Sequence, residues 1–248
     1  MEKLPNEKEN KKNYPPPERK FWKLISEEPA LISILNPKNF SDIDWYEKLD
    51  KSPEVQEWME EDGEAMTRED IQRIIASHPE KWLFYGISGE KGESELEGWI
   101  QMWPEEEEIA DRVREKFSAD LPKDNLILEL SYARYKDPNM PEEKREKGLL
   151  SSGLRQVCYS LGLAMTEKDK ETKESKKPLL KPKLNIVGYT DPDNKPSEKV
   201  LEKSGFKIVG KIKYEPDSEK EDNFWMLDWD KLSDFYAKKD EERMRKGL

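Results

Sequence analysis

The segment 126–165 constrains the fold most, because its pattern predicts a strand, a basic turn and a helix in direct succession. In 126–132 leucines and a tyrosine occupy every second position, and Glu129 lies among the residues of the opposite face. Arg145, Lys147 and Gly148 then precede an apolar-periodic helix over 150–165. The first N–H groups of a helix lack intrahelical partners, so this turn can hold a pyrophosphate. A purely structural basic turn is the alternative, since such turns are common.

The composition combines many charges with enough large aromatic residues to build a core. Of the 248 residues, 40% are charged, the mean hydropathy is −1.06, and 8 Trp, 9 Tyr and 7 Phe are present. Disordered chains lack such apolar bodies, so we expect an ordered core with heavily solvated surroundings. The formal net charge of −11 argues against a nucleic-acid-binding surface and weakly favours a cationic or amine substrate.

Cysteine and histidine each occur once. Cys158 alone excludes an internal disulfide framework and is expected to be a buried small hydrophobe, and His78 alone argues against a His-based metal site. No apolar run reaches the roughly 18 residues of a membrane span, and the first residues lack the apolar region of a signal peptide. We therefore expect a cytoplasmic protein without a metal or a membrane partner.

The pattern of charge and periodicity predicts one domain over 21–232, between a charged tail over 1–20 and a polar helix or tail over 233–248. Its other elements are a strand over 30–35, helices between 41 and 75, an antiparallel hairpin over 82–87 and 96–103, a strand over 184–190, a short helix over 196–204, a strand pair over 207–214 and 224–229, and a closing polar helix over 231–245. A charged connection over 105–123 and a solvated insertion over 167–183 interrupt the series.

The hairpin region carries tryptophans and an acidic run. Trp82, Trp99 and Trp103 are expected to form the core of the hairpin, although one of them could line an acceptor pocket. The glutamates over 105–108 are expected to be a solvated stretch. The alternative is that they attract a cationic acceptor.

Two segments and the order of elements resemble a known family. Residues 126–148 resemble a cofactor-binding strand and turn, and residues 194–206 read Asn-Lys-Pro-Ser-Glu-Lys-Val-Leu-Glu-Lys-Ser-Gly-Phe, similar to an Asn-x-x-Ser/Ala helix that ends in Lys-x-Gly-Phe. Over roughly residues 30–232 the chain resembles the GCN5-related N-acetyltransferases (GNAT). Residues 52–59 and 129–132 further resemble the branch that includes the ribosomal-protein N-terminal acetyltransferases.

The resemblance implies an α/β (α+β) fold with a mixed, mostly antiparallel central sheet, a splayed parallel strand pair and helices on both faces. It also implies acetyl-CoA as the donor and, as the acceptor, a primary amine on a small molecule, a protein N-terminus or a lysine. The splayed strands would be 126–135 and 184–190, whose freed backbone groups pair with the pantetheine arm and polarise the thioester carbonyl.

The resemblance also carries over the cofactor-binding residues, position by position. They are Ala133, Arg134 and Tyr135 along the pantetheine; Arg145, Lys147, Gly148, Leu149, Leu150 and Ser151 at the pyrophosphate turn; and Asn194 and Ser197 on the next helix. Monomer and dimer both remain open.

Two leucines depart from the family's pattern. Leu150 replaces a small residue of the turn, so either the backbone approaches the phosphates less closely or the side chain moves into the core. Leu201 stands where many members have a tyrosine that protonates the leaving thiolate, although a thiol is acidic enough to need little help. Tyr132, Tyr189 and Tyr214 are the substitutes that the chain offers, and Tyr132 is taken as the candidate catalytic tyrosine.

The acceptor amine needs a base, because an ammonium group near pKa 10 has no lone pair with which to attack. Glu129 is the candidate, since it is an acid on the less apolar face of a core strand. The alternative is a partly exposed glutamate in a salt bridge. If Glu129 is the base, Glu129→Gln lowers the acetylation rate, and the loss shrinks as pH rises.

Two further functions fit the same residues. One is a catalytically degraded GNAT-fold module that binds a protein partner or senses acyl-CoA, which Leu150 and Leu201 favour. The other is transfer from a different acyl donor, because the bulk at the end of the cleft cannot be read from the sequence.

Overall fold

The computed structural model of the protein describes residues 30–34, 83–89, 97–134, 147–166, 182–214 and 219–246. These residues form strands β1 (Ala30–Ile34), β2 (Leu83–Gly89), β3 (Gly98–Pro104), β4 (Leu126–Arg134), β5 (Leu184–Thr190), β6 (Phe206–Ile212) and β7 (Asp222–Leu227). Their helices are α1 (Glu107–Lys116), α2 (Leu149–Met165), α3 (Lys195–Lys203) and α4 (Trp229–Lys246). The predicted tail, the helices between 41 and 75 and most of the insertion lie outside the described residues.

The strands form one sheet in the order β1-β2-β3-β4-β5-β7-β6. Neighbouring strands run antiparallel except β4 and β5, which run parallel. The predicted hairpin is β2 with β3, which pairs Leu83 with Met102 and Ile87 with Gly98. Helix α2 lies in the connection between β4 and β5, because parallel strands need a crossover. The mixed, mostly antiparallel sheet is therefore confirmed.

Helices cover both faces of the sheet, as expected. On one face α2, α3 and α4 enclose a core that includes Leu154, Leu201 and Leu232. On the other face α1 places Ala110 and Val113 over a second core. Alternate residues of a strand point to opposite faces, so β4 contributes Leu128 and Leu130 to the first core and Ile127 to the second.

The parallel strands β4 and β5 separate partway along their length. They pair from Leu126 with Leu184 to Glu129 with Val187. Beyond that point β4 continues to Arg134 with β3 as its partner, whereas β5 continues to Thr190 with β7 as its partner. Each strand thus keeps its outer neighbour while its inner edge opens. The predicted splay begins directly after Glu129.

Helix α1 occupies part of 105–123, where the sequence pattern predicts only a charged connection. Ala110 and Val113 are buried at three-residue spacing, while charged residues cover the rest of the helix. Glutamates in its first turn and basic residues in its last turn complement the helix dipole. The prediction of a connection is wrong because such a narrow apolar stripe is hard to recognise among so many charges.

Helix α4 begins at Trp229, so the predicted boundary at residue 232 falls inside it. Trp229 Nε1 donates to the backbone oxygen of Leu184 at 2.9 Å, and Tyr236 is buried in the core under α2. The first half of α4 therefore packs against the sheet. The second half is polar, and no described helix is both long and apolar enough to cross a membrane.

Candidate active site

The open edge of β4 begins the candidate site. Ala133 and Arg134, expected along the pantetheine, lie at the end of β4, where β3 is their strand partner. Arg134 Nη2 lies 3.3 Å from Glu97 Oε2, which holds the guanidinium beside the start of β3. Tyr135 lies outside the described residues. Backbone groups that have lost a strand partner are obligatory hydrogen-bonding groups, so this edge suits an extended ligand with amide groups.

The N-terminus of α2 stands at the position where the sequence predicts an anion site. Gly148 is its N-cap residue with φ 75°, a left-handed conformation that favours glycine. Among the described residues no side chain caps the helix, so the first N–H groups of the helix can bind a ligand. Lys147 is exposed beside them, and Arg145 lies outside the described residues. A β-carbon added at Gly148 would meet nothing within 4 Å, so the outer side of the turn is open.

The side chain of Leu150 lies in the core, which is the second of the two arrangements expected for it. Its side chain is 8% exposed and belongs to the core under α2. Leu149 and Ser151 are buried beside it, and the Ser151 carbonyl accepts from Ser204 Oγ at 3.4 Å. The bulk of Leu150 therefore points away from the turn. A leucine at this position therefore leaves the space beside the helix start free of its side chain.

Tyr132 connects β4 to the start of α3. Asn194 caps that helix, because its Oδ1 accepts from Ser197 N at 3.1 Å. The Tyr132 hydroxyl donates to the Ser197 carbonyl at 2.9 Å and lies 2.6 Å from Ser197 Oγ. Burial raises the pKa of Tyr132, so the hydroxyl keeps its proton at neutral pH. Leu201, one turn further along α3, is buried against Gly188 of β5.

Glu129 lies on the opposite face of the sheet from Tyr132. It is 8% exposed, and its Oε2 accepts from the Tyr214 hydroxyl at 3.3 Å. It also hydrogen-bonds with Trp103 and with the carboxyl group of Glu105. Burial and the charge of Glu105 raise the pKa of Glu129 to about 9. Within the described residues no lysine or arginine pairs with it, so the salt-bridge alternative has no support there.

Glu105 is buried, which corrects the expectation that the glutamates over 105–108 are all solvated. Its side chain is 8% exposed, and Oε2 accepts from the Tyr189 hydroxyl at 2.7 Å. Oε1 accepts from the backbone N–H of Glu106 at 3.3 Å. Burial raises the pKa of Glu105 as well. Glu105 and Glu129 therefore form one hydrogen-bonded carboxyl pair on this face of the sheet.

The register of β3 explains why Glu105 meets Glu129. Trp103 pairs with Glu129 across the two strands, and the N–H of Glu105 donates to Ile127 O at 3.0 Å, which extends the ladder past the end of β3. Residues two apart on a strand share a face, so Glu105 lies on the same side as Trp103 and Glu129. Extending the alternation of the predicted hairpin by one more pair of residues would have placed Glu105 on this face.

Two tyrosines line the carboxyl pair on its β5 side. Tyr189 belongs to β5, Tyr214 follows β6, and their ring centroids lie 4.9 Å apart at 69°. Arg112 of α1 donates to the backbone oxygen of Tyr214 at 3.0 Å and so anchors it. Burial and the neighbouring carboxyl groups raise the pKa of both tyrosines, which keeps them as hydrogen-bond donors.

The described residues can be compared with what acetyl-CoA and a metal ion each require. They contain no group of three His, Cys, Asp or Glu side chains placed to ligate one. The uncapped start of α2 suits a phosphate group, and the open edge of β4 suits the amides of a pantetheine arm. Cys158 is buried within α2, and burial raises the pKa of its thiol, so it is inert.

Comparisons of sequence and of structure differ in what they find. Neither a scan against protein-family models nor a search of curated proteins gives a match. Solved structures do match. An aminoglycoside acetyltransferase, AAC(6')-Ib, in complex with paromomycin and acetyl-CoA has a TM-score of 0.53 and 14% identity, over 81% of this chain and 93% of that one.

Two further solved structures are similar to the chain. RimL, a ribosomal-protein alpha-N-acetyltransferase in complex with coenzyme A, has a TM-score of 0.53 and 12% identity, over 85% of this chain and all 100% of that one. A GNAT-family acetyltransferase from Bacillus anthracis has a TM-score of 0.52 and 18% identity, over 85% and 99%. The chain therefore has the GNAT fold, as the sequence resemblance predicts.

Proposed function

We propose that the chain is an N-acetyltransferase that transfers the acetyl group of acetyl-CoA to a primary amine. The observation that carries the proposal is the parting of β4 from β5 directly after Glu129 and Val187, with a protonated tyrosine on one face and a carboxyl pair on the other. A gap through the sheet lets groups on both faces reach one reacting centre. The likeness to acetyltransferases that bind coenzyme A supports the same conclusion.

The donor would be held at two places where the described residues offer backbone groups to a ligand. The proposal assigns the pantetheine to the edge of β4 at Ala133, Arg134 and Tyr135, and the pyrophosphate to the start of α2. At that helix start the binding residues would be Arg145, Lys147, Gly148, Leu149, Leu150 and Ser151. When bound, acetyl-CoA supplies an activated acetyl thioester. The chain itself orients it, because N–H groups at a helix start favour negative charge.

The acceptor enters as an ammonium ion and must lose a proton before it can attack. The carboxyl pair of Glu105 and Glu129 is the group that can take this proton, since it lies at the point where the strands part. A base with a raised pKa suits proton transfer near neutral pH. The buried carboxyl pair thus deprotonates the acceptor ammonium on one face of the sheet.

The thiolate leaves on the side of Tyr132. The Tyr132 hydroxyl is protonated and already accepts or donates hydrogen bonds at Ser197. If Ser197 Oγ donates to the tyrosine oxygen, the tyrosine proton can turn from the Ser197 carbonyl toward the sulfur. Asn194 acts by capping α3, which fixes the position of Ser197. Tyr132 would thus replace the tyrosine that Leu201 displaces.

Calorimetry and a turnover assay test the proposal together. We expect wild-type protein to bind acetyl-CoA and to release free thiol in the presence of one or more amines from a panel of polyamines, aminoglycosides and short peptides. Gly148→Val should weaken acetyl-CoA binding by about tenfold or more, because a β-branched residue resists a positive φ. Lys199→Ala, on exposed α3 surface, is the control.

The outcomes separate the two candidate functions. If the folded protein did not bind acetyl-CoA, the proposed N-acetyltransferase activity would be contradicted. Binding without turnover on the whole panel would favour the non-catalytic module, for which the buried Leu201 in place of a tyrosine is the supporting observation.

A further inference from the structure

We propose that Glu105 carries the negative charge of the carboxyl pair and accepts the proton of the incoming ammonium, while Glu129 remains protonated and donates to Glu105. This assignment rests on the proposed N-acetyltransferase function. It moves the base from the strand glutamate that the sequence singles out to a residue at the end of the neighbouring strand.

The hydrogen bonds favour a charge on Glu105. Tyr189 donates to it at 2.7 Å, a length typical of a hydroxyl bonded to a carboxylate, and the N–H of Glu106 donates at 3.3 Å. Glu129 accepts from the Tyr214 hydroxyl only at 3.3 Å and from the indole N–H of Trp103. The shorter of the two hydroxyl hydrogen bonds is the one from Tyr189 to Glu105, and a short hydroxyl donor stabilises a charged oxygen, so the pair is polarised toward Glu105.

The shared hydrogen bond holds one proton, and the short donor from Tyr189 to Glu105 favours the position of that proton on Glu129. Two buried carboxyl groups in contact cannot both ionise near neutral pH, so one proton stays between them. Burial, together with the charge of Glu105, raises the pKa of Glu129 to about 9. Burial also raises the pKa of Glu105, which makes it a stronger base than an exposed glutamate.

Among the described residues no cationic side chain pairs with the single negative charge of the two carboxyl groups. The groups that face it are Glu106 at the start of α1, Tyr189 of β5 and Tyr214 after β6. Arg112 of α1 donates instead to the backbone oxygens of Lys213 and Tyr214. Among the described residues no lysine or arginine forms an ion pair with Glu105. An ammonium ion is therefore a suitable partner for it.

The proton transfers balance as follows. One proton moves from the ammonium nitrogen to a Glu105 oxygen, and the freed lone pair forms the C–N bond while the C–S bond breaks. The nitrogen loses its second proton to solvent, and the thiolate receives one from Tyr132, which solvent reprotonates. Glu105 then returns its proton to solvent. One proton is released for each acetyl group transferred.

Two isosteric variants distinguish the carboxyl groups. Glu105→Gln removes the acceptor, so we expect kcat/KM at neutral pH to fall by about 100-fold or more. In Glu129→Gln the amide N–H₂ still donates to Glu105, so the fall should stay below about tenfold. Glu108→Gln, an exposed member of the same acidic run, is the control. An equal or larger fall for Glu129→Gln would overturn the assignment.

A pair of tyrosine variants gives a second readout that does not depend on the folding of the glutamine variants. A donor to a carboxylate lowers its pKa, so Tyr189→Phe should move the acidic limb of the kcat/KM profile to higher pH. Tyr214→Phe, which removes the donor to Glu129, should move it less. A limb that moves only with Tyr214→Phe would identify Glu129 as the base.

Infrared spectroscopy tests the assignment even if no acetyl transfer is found. Near neutral pH the folded wild type should show the C=O stretch of a buried protonated carboxyl group. Glu129→Gln should abolish this band and Glu105→Gln should retain it. The reverse pattern would overturn the assignment, whereas failure to bind acetyl-CoA would count against the proposed function alone.

Discussion

The two faces of the sheet at the splay are built differently. On one face Tyr132 bonds to Ser197 of α3, a contact between one strand and the capped start of one helix. On the other face the bonded groups come from four strands. Glu105 follows β3, Glu129 lies on β4, Tyr189 lies on β5 and Tyr214 follows β6, and hydrogen bonds connect them. The first face needs one local motif to be in place. The second needs the register of four strands to be correct.

The largest effect is expected when both carboxyl groups of the pair are replaced, on what we call the carboxyl face of the sheet, the face that carries Glu105 and Glu129. In the double variant Glu105→Gln with Glu129→Gln no carboxyl group remains to take the amine proton, so kcat/KM should fall by about 10²- to 10⁴-fold. Acetyl-CoA affinity should stay within a few-fold of wild type, because the start of α2 lies on other elements. Steady-state kinetics and calorimetry measure the two quantities. A double variant with near-normal kcat/KM would remove this face from the reaction.

A smaller loss of activity is expected on the opposite face of the sheet, which carries Tyr132. Tyr132→Phe should lower kcat by about tenfold, because a thiolate leaves with little help and a missing acid costs less than a missing base. Tyr159→Phe, on α2 away from the splay, serves as the matched control. If Tyr132→Phe cost more than the double glutamine variant, the ranking of the two faces would be reversed.

The carboxyl face should also make the stability of the protein depend on pH. The pKa of Glu129 is raised from its usual 4.5 to about 9, so the folded state binds a proton that the unfolded chain has lost in this range. The free energy of unfolding should therefore fall as pH rises from about 4.5 toward 9. In Glu129→Gln this decrease in the free energy of unfolding should be smaller by at least ~1.4 kcal/mol, the equivalent of one pKa unit. Urea denaturation at several pH values is the measurement, and identical slopes for both proteins would contradict it.

The smallest effect on function is expected at Leu150. Because its side chain packs in the core, Leu150→Ala should cost about 2–3 kcal/mol of stability through the cavity it leaves. Acetyl-CoA affinity should change by less than about threefold. Thermal unfolding and calorimetry give the two values. A large gain in affinity would show that Leu150 obstructs the turn.

Local patterns predicted most of the chain's elements near the site. The β4 alternation, the glycine turn before α2 and the Asn194 cap of α3 all depend on residues close in sequence, and each is present. Helix α1 was missed because a stripe as narrow as Ala110 and Val113 does not stand out among charges. The burial of Glu105 was missed because it depends on pairing with a strand more than twenty positions away.

The amino-acid sequence by itself determined the order of the described strands and of helices α2, α3 and α4, the glycine start of α2 and the presence of an acid at 129, because propensity, capping and alternation act over a few residues. Only the tertiary structure decided that Leu150 turns into the core and that Tyr132 reaches Ser197. It also decided that Glu105 and Glu129 meet. Strand register and burial set these contacts, and burial is what changes the pKa of a carboxyl group.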